Sequence, residues 1–495
     1  MKRHSAVESD PRAGDIVARL RRAADVAAQK ARTLRHPILA WATMRMSPLD
    51  PIEAFGRSRA SHRVLWLRPD ERFGLAGLGS AWAFSGGGQG RFEEAASAWG
   101  ACVADAVGDD ANTGAVAAGP LALGGFAFAA DGSPRAAWNG YPGARLAVPA
   151  LCICTAGDSC WVTLALMVGT DGHAEVDDAV AHLRSITNPP ERADDITIDA
   201  DGVAPVLEEV PTPDRWKATV ERGAQAARDG LLRKVVLARA LNVRGIRTGP
   251  AAALRALRAD YPGCAVFAVA RGDRCFLGAT PERLLYIQAG RVSTAAVAGS
   301  APRGSTPDED RRYGEALLRS PKERLEHAVV VDVIREVISE ACDEITPATS
   351  PTLLKVANIQ HLVTPLAGRL RERLSVLELA GRLHPTPAVG GFPRDRALRW
   401  INDHEKLERG WYAGLVGWVD RQGDGEFAVA IRSALVHGNQ ALLFAGCGIV
   451  AESDPDQEYA ESWLKFRPML AGLRVEGAAG APAAGRAGRS REGSP

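Results

Sequence analysis

Three features of the sequence predict an α+β fold of large antiparallel sheets flanked by helices. Short apolar runs bounded by turn residues recur along most of the chain and read as strands. Two of them meet across a tight Ala289-Gly290 turn, which makes neighbours antiparallel. Helical patterns interrupt them at intervals, in an order that is neither a βαβ alternation nor a bundle.

The bulk numbers agree with this class and exclude others. The chain has 495 residues, 46% of them apolar, enough for one large unit or about two to four ordinary domains. Lys and Arg number 60 against 59 Asp and Glu, a net charge of +1. That balance predicts no nucleic-acid partner and no membrane surface. The eight cysteines (Cys102, Cys152, Cys154, Cys160, Cys264, Cys275, Cys342 and Cys447) form no Cys-x-x-Cys pair and no zinc spacing. Scattered thiols without an export signal predict a reducing cytoplasm. No apolar run approaches the ~18 residues of a membrane span.

Residues 1–35 read as a charged, helical extension. Lys2 and Arg3 are not followed by an apolar signal segment, and 11–35 is amphipathic through Ile16, Leu20 and Val26. Residues 36–205 read as a mixed N-terminal part, with strands at 61–67, 121–128, 146–154 and 160–166. The glycine cluster at 86–90 lacks the Lys-Ser/Thr of a phosphate loop. A Pro-rich, acidic stretch at 188–213 reads as a boundary.

Patterns sharpen across 206–473. Thr212 precedes Pro213 as an N-cap, Trp216, Val220 and Ala224 recur every four residues, and Gly230 closes the helix. Strands follow at 234–242, 264–270, 274–278, 284–287 and 291–297, the last two joined by an Ala289-Gly290 turn. A helical region spans 308–345, reset by the capping box Ser320-Pro-Lys-Glu323. Strands return at 411–420, 426–437 and 440–445, and Asp454-Pro-Asp-Gln457 opens a last helix. Residues 474–495 lack core-forming side chains and read as a disordered tail.

The last helix is the most informative segment. Glu458, Glu461 and Lys465 fall within roughly 60° on one face, while Tyr459, Trp463, Phe466 and Leu470 make a separate apolar stripe. The polar stripe is either a solvated face with i,i+3 and i,i+4 pairs or one wall of a site. Glu323 and Glu326 form a second pair, although Glu323 also suits a capping box. Carboxylates converging from two helices would suit Mg²⁺. Lys234 opens an apolar strand, either as a solvated strand end or as a partly buried amine fit for base chemistry. Arg432 ends the run Ala428-Val-Ala-Ile431, and Glu282 sits in a turn after Gly278-Ala-Thr-Pro281.

Several strings, in order over about residues 210–472, carry a resemblance. They are Lys234-Val-Val-Leu-Ala-Arg239, Gly278-Ala-Thr-Pro-Glu282, Ala298-Gly299-Ser300, Glu323-Arg-Leu-Glu326-His327, Gln360-His361-Leu362, His384-Pro-Thr-Pro-Ala388, Arg409-Gly-Trp-Tyr412-Ala-Gly414, Ala430-Ile-Arg432, Gly446-Cys-Gly448, and Glu458-Tyr-Ala-Glu461 with Lys465. Together the chain resembles the chorismate-utilising enzymes of the anthranilate synthase component I-like family. The resemblance implies one large unit of two antiparallel sheets, helices outside, and an active site in a cleft between them.

It also implies roles. Lys234 resembles the base that activates water, and Glu282 the acid that protonates the leaving hydroxyl. Glu326, Glu458 and Glu461 resemble the Mg²⁺ ligands, with Glu323 nearby. Tyr412, Arg432 and Lys465 resemble the grip on substrate carboxylates, helped by backbone around Gly446, Gly448, Gly299 and Ser300. His361 matches a pocket histidine. Ser300 departs from the threonine many members carry, and Cys447 reads as packing.

Three positions point to a branch. Amine-transferring relatives carry Gln where Lys234 stands, aminodeoxychorismate synthases carry Lys at Ala298, and anthranilate and salicylate types usually place Thr at Ala388. The expectation is therefore a Mg²⁺-dependent isochorismate synthase, a monomer with no amidotransferase subunit, serving siderophore, menaquinone or salicylate-derived products. A bifunctional salicylate synthase and a non-catalytic chorismate-binding protein are the alternatives.

Overall fold

A computed structural model of the protein describes residues 11–110, 116–130, 136–187, 204–346 and 350–475. Most of the expected boundary at 188–213 and nearly all of the expected tail at 474–495 lie outside the described residues.

Strands this apolar need cover on both faces, and two sheets sharing one core provide it. The larger sheet has thirteen strands. Its main path runs Val206–Val210, Lys234–Arg244, Gln440–Ile449, Ser433–His437, Arg274–Thr280, Ala265–Arg271, His62–Arg68, Phe73–Leu78, Leu151–Ala156, Ser159–Val168, Ile38–Met46, Val107–Asp110. The second has ten strands, with Ile359–Leu370, Arg291–Pro302, Arg283–Gln288, Gly425–Val429, Leu415–Asp420 and Leu121–Phe126 at its centre. Pairing is antiparallel throughout except between Ile38–Met46 and Val107–Asp110. Both sheets take strands from before and after residue 205.

One core draws on both sheets. Trp66 and Phe267 from the larger meet Phe126, Trp418 and Phe427 from the smaller, all essentially buried. Each such phenylalanine stabilises the fold by roughly 1.5–3 kcal/mol. A second core lies between the larger sheet and helices that include Pro11–Leu34, Pro250–Asp260 and Pro455–Gly472. Ile16 and Leu20 point into it as expected. Val26 does not: it is exposed, and Ala23, Ala24, Ala27 and Ala31 complete the buried stripe. Small side chains let that helix lie close on the strand Ile38–Met46.

Two expected strands are each two strands in different sheets. The run at 146–154 divides into Ala144–Val148 and Leu151–Ala156 at Pro149, which has no N–H to continue a ladder. The run at 426–437 divides into Gly425–Val429 and Ser433–His437. Strand 411–420 begins only at Leu415, after a turn, and strand 121–128 ends at Phe126. The helical region 308–345 does reset at Ser320, giving Pro307–Arg319 and Pro321–Ala341, and then ends in a short strand, Cys342–Asp343. Ser320 caps Glu323 N–H, but the Glu323 side chain turns away to accept from Ser300 N. Thr212 precedes Pro213–Arg228 without a side-chain cap bond. Ala289 and Gly290 both have positive φ, the two-residue hairpin turn expected there.

Candidate active site

Two adjacent crossovers between the sheets build the centre of the site. Pro281 and Glu282 carry the chain from Arg274–Thr280 to Arg283–Gln288, and Ala430–Ile431–Arg432 carry it back from Gly425–Val429 to Ser433–His437. They are laced together: Ala279 N donates to Arg432 O at 3.1 Å, Val429 N to Glu282 O at 3.0 Å, and Thr280 Oγ1 to Val429 O at 2.7 Å. Arg432 has a φ of +51°, a conformation that costs about 1–3 kcal/mol and persists only where the surroundings enforce it. Both side chains are buried.

Around the crossovers lies a cleft of about 750 Å³ including its mouth. Glu282, Gly299, Ser300, His361, Ala388, Tyr412, Arg432, Gly446, Gly448, Lys465, Glu323, Glu326, Glu458 and Glu461 all line it. Lys234 is not on the cleft surface. It stands behind Glu326, buried, with Nζ 2.7 Å from Glu326 Oε1. Gly448 makes room for this pair, since a Cβ there would run into Glu326 Oε1 and lie 2.7 Å from Lys234 Cε.

The last helix forms one wall. Its apolar stripe packs on a buried arginine from the strand Lys234–Arg244: the Arg239 guanidinium lies 4.5 Å from the Tyr459 ring centroid, donates to Ser462 Oγ at 3.0 Å and pairs with Glu209. That anchor turns Glu458, Glu461 and Lys465 to the cleft, so the stripe is a site wall and not a solvated face. Lys465 Nζ reaches Glu461 Oε1 at 2.6 Å and Gly446 O at 2.7 Å.

Burial sets the protonation states. Desolvation pushes the Glu282 carboxyl up to about 7 against the pull of Lys234, Arg432 and Lys465. Burial, then the Arg432 and Lys465 charges, bring His361 down to about 3. The ring is neutral, so Nε2 accepts from Arg432 at 3.3 Å and Nδ1–H faces Gly299 O at 3.1 Å. Tyr412 is pushed up to about 12 by burial and stays a hydroxyl.

Four carboxylates on one wall could hold a divalent cation. Burial and Glu326 raise Glu323, and burial and Glu461 raise Glu458. Burial would raise Glu461 too, but Lys465 outweighs it. Two anions held at this cost, in a set of hard oxygen donors, fit Mg²⁺. Cys447 Sγ lies within 4.8 Å of the Glu458 and Glu461 oxygens. Burial keeps it a thiol, and Mg²⁺ does not favour sulfur.

Two residues lining this cleft escaped the sequence reading. Lys322 Nζ lies 3.0 Å from Glu458 Oε1 and 3.8 Å from Glu323 Oε1. Arg409 pairs with Glu405 at 2.7 Å and donates to Val236 O and Val389 O. Lys322 had a visible signal in its place beside Glu323 and one turn from Glu326. Arg409 stood within a quoted string without a role.

Comparisons with known proteins follow the geometry. The family described as "Chorismate binding enzyme" matches residues 26–474. A relative named "Salicylate biosynthesis isochorismate synthase", from Pseudomonas aeruginosa, is 36% identical over 90% of this chain and 93% of its own. "Isochorismate synthase MenF" of Bacillus subtilis is 34% identical over 91% of this chain and 96% of its own. Among solved structures, the menaquinone-specific isochorismate synthase of Escherichia coli matches with a TM-score of 0.70 and 24% identity, covering 91% of this chain and 98% of the other, a likeness of fold.

Proposed function

The chain belongs to the chorismate-binding enzyme family, and from that premise we propose that it is an isochorismate synthase. It converts chorismate to isochorismate, an isomerisation that adds water at C2 and loses the hydroxyl at C4. The observation that carries the reading is a buried carboxyl titrating near 7, Glu282, in the cleft that Glu326 lines with the buried Lys234 paired behind it. The activity named for both relatives supports it.

Arg432 offers a planar fork to one substrate carboxylate, with the Tyr412 hydroxyl beside it. His361, kept neutral, fixes the guanidinium by accepting from it. Lys465 and the backbone at Gly446 and Gly448 border the second carboxylate, and Gly299 and Ser300 close the opposite side. Lys234 takes a proton from the water whose oxygen bonds to C2. The ring double bond shifts, the C4–O bond breaks, and Glu282 gives its proton to the departing hydroxyl. A Mg²⁺ held by Glu326, Glu458 and Glu461, with Glu323 close by, would withdraw electron density from the conjugated acid.

Lys234 in place of Gln, and Ala388 in place of Thr, support water as the nucleophile and release of isochorismate without pyruvate elimination. Water needs no ammonia-supplying subunit, and a monomer is the form expected. Eight unpaired cysteines support a reducing cytoplasm, and no helix among the described residues is long and apolar enough to cross a membrane. Residues 206–473 would carry the chemistry, with 36–205 as the N-terminal part that adds strands to both sheets, 1–35 as an extension and 474–495 as a tail.

Lys234→Ala and Glu282→Gln test the roles. Each is expected to lower kcat by at least ~10²-fold. Turnover left intact in either would overturn the assignment of that residue.

A further inference from the structure

Of the three lysines in the carboxylate cluster, one differs from the other two. Lys234 is 1% exposed and bonded to Glu326, and Lys465 is 9% exposed and bonded to both Glu461 and Gly446 O. Lys322 is 28% exposed and stands in the first turn of Pro321–Ala341, where only its own flexible stem holds it. Its ammonium spans the remaining two carboxylates, at 3.0 Å from Glu458 and 3.8 Å from Glu323. No other cation among the described residues is within ion-pair distance of either of them.

We propose that Lys322 is an internal stand-in for the divalent cation: its ammonium holds Glu458 and Glu323 together until the metal arrives, and must swing out for the metal to bind. This rests on the reading of the cluster as a Mg²⁺ site. The geometry supports it in two ways. The ammonium is bonded at 3.0 Å to Oε1 of Glu458, one of the expected ligands, so ion and amine compete for the same carboxylate. And without Lys322 or an ion, Glu323 and Glu458 would add their charge to Glu326 and Glu461 with only Lys234 and Lys465 paired to the set, a repulsion that burial strengthens. Lys322 relieves it, and its partial exposure gives it a path out to water. Lys322 is thus a positioning residue: it keeps the ligand set collapsed around a charge, and sets how much Mg²⁺ is needed to take that place.

The test is Mg²⁺ binding to the full chain without substrate, measured by titration calorimetry on wild type, Lys322→Met and Lys322→Arg. Lys322→Met, which keeps the stem and removes the charge, is expected to bind Mg²⁺ at least about fivefold more tightly, and Lys322→Arg to stay near wild type. Melting of the metal-free proteins gives a second readout: Lys322→Met should melt lower than wild type, and saturating Mg²⁺ should close that gap. Unchanged or weaker binding by Lys322→Met, with wild type binding normally, would overturn the inference and leave the metal site standing. Absence of binding to all three proteins would overturn the metal reading, and the inference with it.

Discussion

Lys234 Nζ lies 2.7 Å from Glu326 Oε1, one layer behind the cleft surface, in space left open by the missing side chain of Gly448. A strand-opening lysine and a helical glutamate are thereby one unit, joining the expected base to the expected cation ligands.

That unit makes Gly448→Ala a sharp test of geometry. The added methyl would strike the movable ends of both side chains, so the fold can yield, but only by shifting the reacting groups. The expected result is a fall in kcat of about 10²-fold, since displacements near 1 Å cost that much, with Tm lowered by less than about 4 °C. Steady-state kinetics and a melting curve decide it: a large Tm loss with normal kcat would place the glycine's role in folding alone.

Glu282 supplies a pH dependence with a definite sign. The acid must be protonated to act, and its carboxyl titrates near 7, so kcat should decline as pH rises through about 7. Stability follows the same group. Its folded value lies above the ordinary 4.5, so its contribution is fully present below about 4.5 and is lost as pH rises through about 7. Glu282→Gln cannot ionise and should therefore melt higher than wild type at pH 8 while turning over far more slowly. A variant that melts lower than wild type at pH 8 would contradict the buried, raised carboxyl.

Much of this site was legible because helical and strand periodicity are local. The stripe Glu458, Glu461, Lys465 stood apart from its apolar neighbours in the sequence, and only its destination was open. Arg239, buried under Tyr459 and Trp463, decided that, and no spacing rule could show it. The crossovers at Pro149 and at Ala430–Arg432 were read as unbroken strands because chain leaving one buried sheet for another is apolar on both sides of the bend. Lys322 was absorbed into a capping box, since a lysine at a helix start is ordinarily solvated. Arg409 was overlooked because its partners, two carbonyls and Glu405, come from three separate segments.

Arg409 yields a prediction of its own. It joins Val236 on the base's strand, Val389 beside Ala388, and both carboxylate oxygens of Glu405, of which Oε2 also accepts from Ala238 N at 2.7 Å. Both members of the ion pair are 4% exposed. Removing one leaves the other charge buried and unpaired, at a cost of about 3–5 kcal/mol. Arg409→Met and Glu405→Gln should each lower Tm strongly. The double variant should lose clearly less than the sum, because the two share one interaction. Additive losses in a denaturation series would show that the two act independently.

The central claim is tested most directly by the products. Purified protein is incubated with chorismate and Mg²⁺, the mixture is resolved by chromatography, and pyruvate is assayed alongside. The account predicts isochorismate without pyruvate, formation that stops with EDTA and returns with added Mg²⁺. Salicylate with equimolar pyruvate would contradict it in favour of a bifunctional salicylate synthase, and chorismate recovered unchanged would contradict it in favour of a chorismate-binding protein without catalysis.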